Sequence, residues 1–198
     1  MFCLVVSCDS KKVLPTDKQG LEARKKIPCI IVLPVETKVN SERGITYQDA
    51  ALLESGAAFM DQVLATVLIG HDHVRMINER QLMTLVPVDV NTRLSLISEI
   101  GSRIKCDAVL LTTLTRYRQR VGGSFGADVP AAASFTMKLL RTRDGSVVWS
   151  GRFDEEQESL LNNLMSFGKA QRRGFQWITV EELVSQGITE VIETCPYL

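Results

Sequence analysis

Apolar positions along this chain fall into short continuous runs, helical stripes and alternating strands. Residues 30–35, Ile-Ile-Val-Leu-Pro-Val, form an apolar run rich in β-branched side chains. Such a run predicts a strand buried on both faces, with Pro34 near its end or at a bulge. Residues 46–69 carry Leu52, Gly56, Phe59, Met60, Val63, Val67 and Leu68 at helical spacing, and Thr46 with Asp49 reads as a capping box. Ala50, Ala51, Ala57 and Ala58 suit close approach of that helix to a sheet. Residues 74–77 predict a short strand and 78–82 a turn of helix, and Pro87 breaks the next segment. A second helix is expected over 92–105, capped by Asn91 or Thr92, with Leu94, Ile97, Ile100, Gly101 and Ile104 inward.

The second half of the chain reads mostly as strand. In 108–121 the first four residues are uniformly apolar, which suits a central strand. The remainder alternates, placing Leu114, Arg116, Arg118 and Arg120 on one face and Thr115, Tyr117 and Gln119 on the other. A loose glycine-rich turn at 122–126 leads to a strand over 132–141, with Phe135, Met137 and Leu139 on one face. Asp144-Gly145 signals a two-residue hairpin, after which Val147, Trp149, Gly151 and Phe153 line one face of the next strand. Residues 159–174 are helical in part at most. Thr179 and Glu182 cap a last helix with Val180, Leu183, Val184, Ile188, Val191 and Ile192 inward. The fold class is therefore α+β: a mixed sheet of about five strands in the order β-α-β-α-β-β-β-α, the last three an antiparallel meander, packed against helices. No internal repeat is visible.

Ahead of the first buried run stands Val5-Val6-Ser7-Cys8, with Asp9 and Ser10 after it. This pattern resembles the cleavage and lipidation site of bacterial lipoproteins. The resemblance implies a mature chain beginning at a diacylglyceryl-modified Cys8. Seven residues precede Cys8 and none is basic, so the leader is expected to extend upstream of Met1. The alternative is that residues 2–7 form a first strand of a cytosolic protein. Residues 9–26 are polar, with Lys11, Lys12, Lys18, Arg24, Lys25 and Lys26 against Asp9, Asp17 and Glu22. That composition predicts a flexible leash with a reach of roughly 25 Å and a weak attraction to anionic headgroups. The expected organisation is a residual signal peptide and lipobox over 1–8, a leash over 9–27 and one domain over 28–198.

Composition narrows the function. A chain of 198 residues with 45% hydrophobic and 23% charged residues is long enough for one well-formed core. Formal net charge is zero, which argues against nucleic acid as a partner. No apolar run approaches the roughly 20 residues of a membrane-spanning helix. Of the five cysteines, none shows CxxC spacing, so a zinc or thioredoxin-like site is not expected. Cys29 and Cys106 each precede a predicted strand; a bridge between them is open, but buried free thiols are the commoner outcome.

The element order behind a lipobox resembles the α/β domain of curli-secretion-type lipoproteins, the amino-terminal domain of TolB and the lipoprotein activators of penicillin-binding proteins. The phrases Tyr117-Arg118-Gln119-Arg120, Asp128-Val129-Pro130-Ala131-Ala132 and Val147-Val148-Trp149 carry the likeness, over roughly residues 28–195. It implies a periplasmic protein anchored by lipid to the inner or outer membrane, a fold group whose members mostly bind other envelope components or assemble into rings. A membrane pore is not implied, because no long amphipathic strand pair is spare.

Candidate chemistry is sparse. His71-Asp72-His73 holds both histidines and would need a third ligand to bind a metal. The Gly122–Gly126 loop lacks the Lys-Ser/Thr of a phosphate-binding loop. Asp154, Glu155, Glu156 and Glu158 end a strand and converge on nothing. Arg116, Arg118 and Arg120 make the surface most suited to a protein partner, set against ordinary cross-strand pairing with Asp154 and Glu156. The expected protein is a non-catalytic, tethered adaptor or assembly factor that binds an envelope protein or itself, without cofactor, nucleic acid or small-molecule substrate. The alternative is a metal-dependent envelope hydrolase using His71 and His73.

Overall fold

The computed structural model describes residues 17–38, 47–86, 92–123, 126–156 and 178–198. In chain order the elements are α1 (Asp17–Lys26), β1 (Ile30–Val32), β2 (Glu36–Thr37), α2 (Tyr47–Val67), β3 (Val74–Met76), α3 (Glu79–Leu85), α4 (Arg93–Ile104), β4 (Ala108–Arg118), β5 (Val121–Gly123), β6 (Gly126–Val129), β7 (Ala132–Arg141), β8 (Val147–Glu156) and α5 (Val180–Glu193). The lipobox, Cys8, the Thr46 cap, Pro87 and residues 159–174 lie outside the described residues.

β1 is buried at every position, as a strand covered on both faces must be. It runs parallel to β3 on one side and to β4 on the other, with Ile30 opposite both Val74 and Ala108. Pro34 interrupts the apolar run, so the chain leaves the ladder at Val32 and rejoins it as β2 beside β4. β4, β7 and β8 are antiparallel neighbours, giving the order β3-β1-β4-β7-β8 with β2 against β4. The α+β class and the mixed sheet agree with the sequence reading. The count of about five strands does not: the main sheet has six, and β5 and β6 form a separate two-stranded ribbon where a loose turn was expected.

Two layers enclose the sheet. On one face, α2 contributes Leu53, Ala57, Met60 and Leu64, and α5 contributes Val180, Leu183, Val184 and Ile188. They cover Leu110, Leu114, Phe135, Met137 and Leu139. On the other, Ile97 and Ile100 of α4 cover Ile31, Val109, Leu111 and Leu140. The α5 stripe is the one expected, and Thr179 and Glu182 form the expected reciprocal cap. Thr92 caps α4 with Ser95 closing the box. Of the expected α2 stripe, Gly56, Met60 and Leu68 are buried and Phe59, Val63 and Val67 pack partly against the core, but Leu52 is 40% exposed and Leu53, Ala57 and Leu64 take the remaining buried positions. Leu94, expected inward, is also exposed, because α4 is covered by the sheet only along its middle. Helices approach the sheet closely at glycine. A Cβ on Gly56 would stand 2.7 Å from the Tyr117 ring, and one on Gly187 2.8 Å from Phe153.

The leash expected over 9–27 is helical from Asp17 to Lys26, and Ile27 after it is buried in the core. The hairpin after β7 is longer than a two-residue turn. Arg141 N–H donates to Ser146 O at 2.9 Å, enclosing residues 142–145, and only Gly145 takes a positive φ of 67°. The Thr142 hydroxyl is buried and reaches the Cys106 carbonyl at 2.9 Å, which holds the loop in against the sheet.

The thiols of Cys29 and Cys106 are joined, contrary to the expectation of free cysteines. Parallel pairing of β1 with β4 sets both at the amino ends of adjacent strands, 4.7 Å apart at Cα. Cys195 is a buried free thiol whose pKa burial pushes up to about 11, so it is unreactive at neutral pH.

Two outcomes test this core. The bridge spans 77 residues, so its reduction should lower unfolding free energy by about 4 kcal/mol, read as a fall in urea midpoint with dithiothreitol. The Thr112 hydroxyl is buried and has no hydrogen-bond partner among the described residues. Thr112→Val should therefore stabilise the fold by about 1 kcal/mol in the same titration.

Candidate functional site: the charged face of the meander

β4 does not alternate evenly. The ladder with β7 pairs Leu114 with Phe135 and Arg116 with Ser134, leaving Thr115 as the extra residue of a bulge. The bulge reverses the alternation. Leu114 and Tyr117 both enter the core under α2 and α5, and Arg116 and Arg118 turn to the opposite face. The reading that put Leu114 on the same face as the arginines is thus corrected. A second bulge, at Val148, does the same for β8: Val147 opposes Leu140 and Trp149 opposes Leu139, so these two do not share a face as expected.

The arginine face lies beyond the reach of α4. Arg116 opposes Ser134, which opposes Asp154; Arg118 opposes Ala132, which opposes Glu156. The middle strand carries small side chains at both rungs, so the guanidinium groups span two inter-strand spacings, roughly 10 Å. Arg116 meets Asp154 at 2.7 Å and Glu156 at 3.8 Å, Arg118 meets Glu156 at 2.6 Å, and Arg152 meets Asp154 at 2.6 Å. Arg118 also donates through Nε to the Pro130 carbonyl at 3.1 Å. Arg120 lies past the end of β4, half-buried and with partners of its own. Structure therefore brings Arg116 and Arg118 into one network with the acids of β8. Sequence reading named these acids but missed Ser134 and Ala132, whose small size at alternate positions was the available signal.

On the core side, the Tyr117 hydroxyl donates to Glu181 Oε1 at 3.1 Å, and Gln119 donates to the same oxygen. Burial and the Glu181 carboxylate raise the Tyr117 pKa far above its usual value, so the phenol stays protonated and pins β4 to the first turn of α5.

The histidine pair is placed apart from this face. The rings of His71 and His73 stand 5.9 Å apart, and His73 Nε2 lies 2.9 Å from the Tyr197 carbonyl. Arg24 donates to Leu198 O at 2.8 Å beside them. Burial, then Arg24 and His73, lower the His71 pKa and favour the neutral ring. No group of three His, Cys, Asp or Glu side chains among the described residues is arranged to hold a metal ion.

No family model matches the chain, and no curated protein matches it. Among solved structures it is similar to the PelC dodecamer from Paraburkholderia phytofirmans, with 13% identity, TM-score 0.46 and coverage of 85% of this chain and 86% of that one. It is similar to lipoprotein GNA1162 from Neisseria meningitidis, with 18% identity, TM-score 0.42 and coverage of 74% and 98%. For the C-terminal domain of LpoB from Escherichia coli the values are 16%, 0.36, and 70% and 96%. Similarity at this level carries no functional assignment. It singles out neither a curli-secretion domain nor a TolB domain.

The charged network makes its own prediction. The paired side chains are 38–45% exposed, so each contact contributes little. A double-mutant cycle of Arg116→Ala and Asp154→Ala should give a coupling of about 0.2–1 kcal/mol at low salt, shrinking in 1 M sodium chloride.

Proposed function

We propose that this chain is the body of a lipid-anchored periplasmic protein, tethered through Cys8 and acting without catalysis as an adaptor or assembly factor in the cell envelope. The observation that carries the location is the Cys29–Cys106 bridge across the central strand pair. Such bonds persist in oxidising compartments and are rare where glutathione keeps thiols reduced. The lipobox-like Val5-Val6-Ser7-Cys8 supports the same compartment from the sequence. Among the described residues no helix is long and apolar enough to cross a membrane; in this reading the acyl group on Cys8 supplies the attachment. In this reading 1–8 holds the signal remnant and lipobox, the working domain expected over 28–198 extends back through α1 to residue 17, and the leash shortens to 9–16.

Arg116, Arg118 and Arg120 are the residues proposed to meet a protein partner. Ion pairing holds Arg116 and Arg118 in place, so a partner finds a pre-set arrangement of both signs and gains more in selectivity than in affinity. The body belongs, in this reading, with curli-secretion-type and TolB amino-terminal domains in kind. Tethering raises its local concentration beside the envelope complex it serves.

Radiolabelled palmitate fed to cells expressing the full-length gene should enter the wild-type protein and be lost in Cys8→Ser. Unlabelled wild-type protein recovered from the cytosol would overturn the location and the anchor together.

A further inference from the structure

A second surface lies at the carboxyl ends of the parallel strands. An open groove of about 800 Å³ runs between α2 and the edge strand β3, walled by Pro34, Asp61, Ala65, Met76 and, from α3, Met83. Ligands of open α/β sheets settle at this end of the strands. β3 is the last strand of the main sheet, so one side of it pairs with no other strand of that sheet. Unpaired N–H and C=O groups along an edge are a template for another chain. Met76 is 37% exposed and Met83 78% exposed, which leaves an apolar rim in water. Methionine adapts to varied contacts, and α3 holds no fully buried residue, resting on the core through the partly buried Leu82. α3 keeps its shape through its own cap, in which the Asn78 side chain accepts from Gln81 N–H at 2.9 Å and Gln81 reciprocates.

Asp61 is the unusual group. It sits half-buried on α2, and one carboxylate oxygen accepts the Val35 N–H at 3.0 Å. None of the ion pairs among the described residues includes it. Burial, with a smaller contribution from the Glu79 charge, raises its pKa. A carboxylate drawn partly out of water and held in no ion pair costs stability.

We propose that β3 and this groove receive an extended segment of a partner protein, which adds a strand to the sheet and seats a lysine or arginine against Asp61 while its apolar neighbours lie on Met76 and Met83. Strand addition supplies main-chain hydrogen bonds, and the groove selects alternate side chains. Among the described lining residues the charged groups are Asp61, Glu79 and Arg80, a net negative charge that favours a basic segment. A small organic cation would fill the groove but leave the adjacent strand edge unused. The inference deepens the adaptor reading by naming the chemistry of the partner segment, and rests on it only for the existence of a protein partner.

The probe is a synthetic peptide, acetyl-Val-Lys-Val-Lys-Val-amide, against its Glu counterpart, titrated into the full chain carrying Cys8→Ser and followed by amide NMR shifts. The Lys peptide should shift the amide of Met76, whose main chain faces away from β1, with smaller shifts at Arg75, at millimolar concentration, and the Glu peptide should not. Asp61→Asn keeps an acceptor for Val35 and should weaken binding at least about tenfold, with a melting temperature equal to or above the parent's. Met83→Ser, at an exposed position, should weaken it too. The proposal is overturned if the Lys peptide leaves those amides unmoved, if the Glu peptide or Asp61→Asn binds equally, or if Asp61→Asn lowers the melting temperature, which would make Asp61 a structural group. Loss of palmitate labelling would remove the anchor without touching this result.

Discussion

Parallel pairing of β1 with β4 is the constraint on which the rest of the molecule depends. The two strands come from positions 77 residues apart, measured at their flanking cysteines. Closing so long a loop is entropically unfavourable until the ladder and its buried faces form. The Cys29–Cys106 bond holds the junction closed at one end, and the side chains of Ile30, Ile31 and Val32 fill both layers around it. Because β1 is buried on both sides, helices must lie on both faces: α2 and α5 on one, α4 on the other. α4 is 12 residues long and covers β1, β4 and the end of β7. The far half of that face, across β7 and β8, is left polar.

Register then decides which side chains occupy that half, which no described helix covers. Side chains alternate along a strand with a period of two, so a single extra residue exchanges the faces of everything beyond it. The bulge at Thr115 sends Tyr117 under α2 and turns Arg116 and Arg118 outward. Small residues at Ala132 and Ser134 let those arginines cross a whole strand to Asp154 and Glu156. Close helix contact at Gly56 and Gly187 keeps the opposite face sealed around Tyr117 and Phe153, whose ring stacks on Phe135 with centroids 5.2 Å apart.

These features share a direction. α1 enters through Ile27 at the amino end of β1, where the disulfide and the β7–β8 hairpin also lie. Arg116 and Arg118, Asp61 and the groove beside β3 lie towards the carboxyl ends of the parallel strands. A chain tethered at its amino-terminal side would thus carry both proposed contact surfaces on the end of the sheet remote from the point where α1 joins the body.

Local chemistry made much of this legible in advance. The Thr92 and Thr179 caps, the buried run at 30–32, the α5 stripe and the inward face of β7 come from spacing and side-chain type, because each depends on neighbours within a few residues. Tertiary packing decided the rest. A bulge is set by how β4 must bend to pair with β7, the choice of Leu53 over Leu52 on α2 by what the sheet and α5 leave to fill, and the disulfide by a strand pairing between distant segments. The sequence alone determined the long helices, the central strands and their caps, and that this protein carries two lone cysteines ahead of two strands, but not α1, β2 or the β5–β6 ribbon. Only the assembled sheet decided that those strands are parallel neighbours, because hydrogen-bond partners between remote segments are chosen by the fit of whole buried faces and not by any residue's local preference.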